Sequence, residues 1–175
     1  MPEPEPLLLP DEATWEALFM PPCPFVRLVV LPSCSAHAPQ EWDEGMECAY
    51  GLSVHVGVIG QADRALAAML KRLSCHEEGW PTDEEWDEAT ARARAWKLAN
   101  MCVAADPTAA TARIGGIVDD INRTRVHVDR AALAPWTTPI ASLSTTWTIE
   151  NEWNSVLVFG QTRSAWTCFR WQTSA

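Results

Sequence analysis

The sequence predicts an α+β fold: a mostly antiparallel sheet with two or three packed helices and a C-terminal three-stranded meander. Three observations lead there. Tyr50–Ile59 alternates, with Tyr50, Leu52, Val54, Val56 and Val58 on one face and Gly51, Ser53, His55 and Gly57 on the other, the period-2 pattern of a half-buried strand. Gln61–Cys75 switches to helical spacing, with Ala62, Ala65, Leu66, Met69, Leu70 and Leu73 on one stripe. Leu143–Glu150, Trp153–Phe159 and Ala165–Gln172 then follow closely, separated by turn chemistry at Asn151 and Gly160–Arg163, as a meander requires.

The remaining elements are read in chain order. Residues 1–10 alternate Pro and Glu before reaching Leu7, Leu8 and Leu9, an extended arm with an apolar end. Asp11 is placed to N-cap a short helix running to Met20, where Pro21, Pro22 and Pro24 stop it. Phe25–Leu31 is rich in β-branched and apolar residues between prolines and reads as a strand. A Ser-, Pro- and acid-rich loop spans Pro32–Glu47. After the helix at 61–75 comes an acidic linker, His76–Thr82. Thr82 then N-caps a longer helix, with Glu85 completing a capping box and the stripe Trp86, Ala89, Ala93, Trp96, Ala99 and Val103 facing inward. Asp106–Pro107 reads as its end, Gly115–Gly116 as a turn, and Arg125–Asp129 as a short strand.

The chain's 175 residues suit one domain. No apolar run approaches the roughly 18 residues a bilayer span needs, and the N-terminus has no basic region before its three leucines, so neither a membrane segment nor a signal peptide is expected. The charge of −10 argues against a free-standing nucleic-acid binder, whose affinity rests on phosphate contacts. Residues 1–48 hold nine Asp or Glu and one basic residue, Arg27. Six scattered cysteines without a secretory signal point to reduced thiols. The expectation is a soluble globular protein made inside the cell.

Few residues carry the spacing that chemistry requires. Cys23, Cys34, His37 and Cys48 could supply a Cys3His zinc shell, but the only tight spacing is Cys34-x2-His37 and the outer gaps are ten residues each. Zinc knuckles place two ligands on one turn, so buried small thiols are the preferred reading and no metal or cofactor is expected. Cys75 or Cys168 with His55 or His127 lacks any local nucleophile signature. Asp83–Glu88 suits a helix N-terminus more simply than acid–base work. Phosphate-binding, dinucleotide and hydrolase motifs are absent from the sequence. An enzyme is therefore not expected.

Ten tryptophans beside one tyrosine and four phenylalanines are more telling, because Trp concentrates in cores and at protein interfaces. Trp86 and Trp96 fall on a helical core stripe. Trp147 groups with Leu143 and Ile149. Trp166 and Trp171 have opposite parity and cannot face the same way on one regular strand. One of them belongs on a second packed surface or at a subunit contact, unless a bulge turns both inward. Together with Leu7, Leu8, Leu9 and Trp153, they are the interface candidates.

The runs A-R-A-R-A-W-K-L-A-N (91–100), A-A-D-P-T (104–108) and G-G-I-V-D-D-I-N-R-T-R-V-H-V-D (115–129) resemble tail terminator (tail completion, neck) proteins of long-tailed phages. The order of opening helix, strand F-V-R-L-V-V-L, strand Y-G-L-S-V-H-V-G-V-I, helices and a last strand at 143–150 agrees with that pattern over about residues 11–150. The resemblance divides the chain into an acidic, proline-rich arm (1–10), a single tail-terminator-like domain (11–150) and a Trp-rich C-terminal β-hairpin extension of that domain (151–175). Residues 61–90 and 151–175 depart from the pattern by adding an extra helix with its linker and the hairpin.

The resemblance implies a structural virion protein, assembled in the host cytoplasm. It would form a homohexameric ring that caps the tail tube and meets the head-tail connector or stopper. DNA would pass through the lumen without specific binding. Glu41, Asp43, Glu44, Glu47, Glu77 and Glu78 become candidates for a lumen lining that repels phosphate. The composition fits a different class equally well: an acidic inhibitor or immunity-type protein that masks a basic enzyme.

Overall fold

The computed structural model describes residues 7–19, 25–30, 47–77, 88–124 and 143–173. Among them are four helices and six strands, α1 (Glu12–Phe19), β1 (Arg27–Val30), β2 (Glu47–His55), α2 (Ala62–Glu77), α3 (Glu88–Asn100), β3 (Val103–Ala105), α4 (Pro107–Thr124), β4 (Thr145–Asn151), β5 (Ser155–Gln161) and β6 (Ala165–Thr173). The strands form one sheet in the order β1-β2-β6-β5-β4-β3, and every neighbouring pair is antiparallel. This is the α+β fold with a C-terminal β4–β6 meander that the sequence predicts.

Both faces of the sheet are covered. On one, Tyr50, Leu52 and Val54 join Trp147, Ile149, Leu157, Phe159, Trp166 and Cys168 beneath α1, α2 and α3. Phe159 is the centre of an aromatic row across the meander, with ring centroids 5.5 Å from Trp147 and 5.5 Å from Trp166. On the other face, Ala49, Val156, Val158, Phe169 and Trp171 pack beneath Ala110, Ile114, Ile117 and Val118 of α4. Trp166 and Trp171 therefore lie on opposite faces, as their parity requires, and the second packed surface is the underside of α4.

Of the stripe read for α2, Ala65, Leu66, Met69, Leu70 and Leu73 are buried and Ala62 is half-buried, and Ala67 and Ala68 are buried too. They are covered because α2 touches β2 and β6 on one side and α1 and α3 on the other. Asp11 caps α1 as expected: its Oδ1 accepts the Thr14 backbone N–H at 3.0 Å. Trp15 meets Trp96 edge-on at 5.6 Å, Arg92 reaches Glu16 at 3.8 Å, and Lys71 Nζ lies 5.5 Å from the Phe19 ring centroid. These contacts tie α1 to both α2 and α3.

Several expectations are corrected. β2 stops at His55 rather than running to Ile59, because Gly57 N–H donates to His55 Nδ1 (3.0 Å) and Val58 N–H to the His55 carbonyl (2.9 Å), closing a turn that leaves Val58 exposed. The long helix ends at Asn100, and Val103–Ala105 is strand, paired with Thr146–Thr148. On α3, Ala89 and Ala93 face solvent while Ala95 and Ala99 are buried. An alanine-rich sequence carries little amphipathic signal to fix the helix's rotation.

Asp106–Pro107 starts a helix instead of ending one. Asp106 Oδ2 accepts the Ala109 N–H at 2.9 Å as an N-cap, and proline sits at the first helical position, where its missing N–H costs nothing. Gly115–Gly116 lies within α4, not in a turn. Leu143 packs with the α4-side cluster, apart from Trp147 and Ile149. The strand expected at 125–129 and the Thr82–Glu85 capping box with Trp86 lie outside the described residues. The segment 151–175, read as an appended hairpin, contributes β5 and β6, the strands that join β2 to β4.

Candidate functional site

The surface most suited to recognition is a corner at the β3 edge of the sheet. Antiparallel pairing sets Val103 opposite Thr148 and Ala105 opposite Thr146. Residues preceding Val103 therefore run towards Asn151 and the β4–β5 turn. Met101 just before β3, Val103 on it (65% exposed) and Trp153 in the β4–β5 turn (71% exposed) are all exposed along this side of the sheet. They are half of the large exposed hydrophobics among the described residues.

The turn carrying Trp153 is held from three sides. Glu152 N–H donates to the Ser155 carbonyl (2.7 Å) and Thr173 N–H to the Asn154 carbonyl (3.0 Å). Arg113 of α4 donates through Nη2 to the Glu152 carbonyl at 3.2 Å. An aromatic side chain on so fixed a backbone loses little freedom on docking, which is what a hot-spot residue needs.

Behind the turn lies a buried polar cluster. Between Thr148 and Glu150 the β4 register shifts, opposing Leu157 to Glu150 and leaving Ile149 as the extra residue. The bulge brings Glu150 onto the α2 side of the sheet. There its Oε2 accepts from Arg170 Nη1 and from Ser155 Oγ, while Arg170 Nη1 also donates to Ser155 Oγ at 3.2 Å. Arg170 is 2% exposed. The cluster ties β4, β5 and β6 together directly beneath the Trp153 turn.

The other interface candidates separate clearly. Leu7 and Leu9 pack on the main core, whereas Leu8 points out, 84% exposed. Trp166 is buried, its indole N–H donating to the Ile59 carbonyl at 2.8 Å. Trp171 is covered as well. Of the tryptophans proposed for contact, only Trp153 is free at the surface.

Chemical candidates fare differently. Cys23, Cys34, His37, Glu41, Asp43, Glu44 and Glu78 lie outside the described residues, and for Cys48, Glu47 and Glu77 only the backbone is described. Among the described residues no three metal-ligating side chains converge. Cys168 is buried on the α2 side of the sheet. His55 takes the opposite parity on β2, so the fold does not bring these two together. Burial pushes the Cys102 thiol up to about 12, making it a poor nucleophile. The side chains of Cys75 and His127 are outside the described residues. No described helix is long and apolar enough to cross a membrane.

Met101 and Val103 escaped the sequence reading because both were assigned to a helix. The available signal was Asp-Pro-Thr at 106–108, an N-cap followed by a first-turn proline. Read that way, it would have started a new helix and freed 103–105 for the sheet. No protein-family model, curated protein or solved structure matches this chain.

Proposed function

We propose that this chain is a structural assembly subunit that forms a ring with copies of itself. By its resemblance, the ring is of the tail terminator type, capping a phage tail tube in the virion and meeting the head-tail connector. The observation that carries this reading is exposed Trp153 on a turn held by three hydrogen bonds, together with exposed Met101 and Val103, in a sheet that among the described residues ends in two unlike edges. A head-to-tail ring needs two different surfaces on one subunit, and β1 and β3 offer them at opposite ends of the sheet formed by the described residues. The opening helix, β1, β2 and the helices after them follow the order the resemblance uses, whereas Asp106–Pro107 begins a helix and Gly115–Gly116 lies inside it where the resemblance has a helix end and a turn.

Mass photometry and negative-stain microscopy over a micromolar to sub-millimolar range, with and without assembled tail tubes, test the proposal. A closed ring, free or seated on tube ends, is the expected result. A chain that stays monomeric and ignores tubes would overturn it.

The acidic inhibitor reading draws on a separate observation. Residues 1–48 and 77–88 together hold sixteen of the 23 acidic residues and one of the 13 basic ones. Acid concentrated in two stretches is suited to covering a basic partner. A stable monomer that forms a salt-sensitive one-to-one complex with a basic enzyme would favour this second function.

A further inference from the structure

We infer that the β3 edge of one copy receives the β1 edge of the next, so that one antiparallel sheet continues from subunit to subunit. This rests on the ring reading and names its contact. Among the described residues, β1 pairs only with β2 and β3 only with β4. Five successive antiparallel pairings leave β1 and β3 themselves antiparallel. A second copy shifted sideways without being turned over therefore presents β1 antiparallel to β3, with its α4 side on the same side. An odd number of strands would have made that contact parallel.

The faces match in one register. Leu28 packs on the α2-side core of its own copy and Ala104 does the same at the far edge. Setting Leu28 against Ala104 places Arg27 opposite Ala105 and position 29 opposite Val103. Every residue then keeps its face. Charge agrees as well. Exposed Arg27 comes beside Asp106, which follows β3. In this register the neighbour's β1 ends opposite Cys102, next to exposed Met101.

Both edges are short, four residues and three, so one such ladder is weak by itself. Short edges also discourage unspecific pairing. Stability would come from closure, where every subunit makes both contacts at once.

The test is a paired-cysteine variant, Val29→Cys with Val103→Cys, oxidised at a concentration where wild type assembles. Within one copy these positions lie at opposite edges, about 24 Å apart at five strand spacings, and cannot bridge. The expected result is a ladder of covalent oligomers and a crosslinked peptide joining 29 to 103, absent from each single variant. Arg27→Glu should weaken assembly at least ~tenfold and Trp153→Ala by a similar factor, while Arg27→Lys should assemble nearly as wild type; circular dichroism confirms folding of each. If wild type assembles but only 29–29 or 103–103 links form, or none do, this contact is wrong and the ring reading survives. If wild type never assembles, both are wrong.

Discussion

Removing the Glu150 carboxylate tests whether the cluster beneath the Trp153 turn holds the meander together. In Glu150→Ala, Arg170, 2% exposed, keeps its charge but loses the carboxylate, and Ser155 loses an acceptor. Breaking one side of a buried ion pair costs ~3–5 kcal/mol. The Glu150 side chain is 18% exposed, so water can enter the vacated space and partly solvate the guanidinium. That argues for the lower end, about 3 kcal/mol. Against a total stability of ~5–15 kcal/mol this is a large fraction, equivalent to a melting shift of about 6–12 °C for a chain of this size.

Chemical unfolding followed by tryptophan fluorescence reads it as a lower midpoint at constant slope. Glu150→Gln retains an acceptor and should lose less than half as much. The double variant Glu150→Leu with Arg170→Met removes both charges and should recover most of the loss, since apolar replacement of a buried pair is often neutral. A Glu150→Ala loss below about 1 kcal/mol, or a double variant as damaged as the single, would refute a role for this pair in holding the meander together.

Further outcomes follow from four single positions. A Cβ at Gly116 meets nothing within 4 Å, whereas one at Gly160 would lie 2.9 Å from the Thr145 carbonyl oxygen and 2.8 Å from Leu143 Cδ2. Gly116→Ala should therefore stabilise by ~0.5–1 kcal/mol and Gly160→Ala destabilise by ~1–3 kcal/mol, both read by thermal unfolding. With its thiol held up to about 12 by burial, Cys102 should alkylate at pH 8 roughly a thousandfold more slowly in the fold than in denaturant. Peptide-resolved mass spectrometry follows that site. A thiol raised in this way favours folding fully below its unfolded value, and its contribution fades as pH climbs from 9 towards 12. The Asp11 carboxyl is lowered by the Thr14 backbone and side-chain hydrogen bonds, so its cap is intact above the unfolded carboxylate range and lost as pH falls through the folded value. Fraying of α1 in acid, seen by hydrogen exchange and abolished as a pH effect in Asp11→Asn, checks the direction.

Legibility from sequence tracked how local each determinant is. The α2 stripe, the Asp11 cap and the three meander strands are set by neighbouring residues, and all three were readable. Parity alone placed Trp166 and Trp171 on opposite faces. The helix α4 was missed although Ala110, Ile114, Ile117 and Val118 carry its spacing, because two adjacent glycines and an Asp-Pro pair read as breaks. Burial against Val156 and Val158 outweighs the glycines' helix penalty. The strand β3 was invisible for another reason: three residues have no period, and only pairing with β4, over forty residues later, makes them a strand. The same distance hid two members of the exposed corner, while Trp153, set in its own turn, was found directly.

Strand order carries the deeper lesson. A meander of consecutive strands could have stood as an edge unit, separable from what precedes it. Instead β6 inserts between β2 and β5, pairing nine residues with β2 on one side and seven with β5 on the other. Until that strand is in place, β1 and β2 with their helices share no ladder with β3, β4 and β5. Both hydrophobic layers also stay incomplete, since Trp166 and Cys168 belong to one and Phe169 and Trp171 to the other. The two terminal edges therefore acquire fixed positions relative to each other only once the last strand has docked. Any assembly that used both edges would follow completion of the fold.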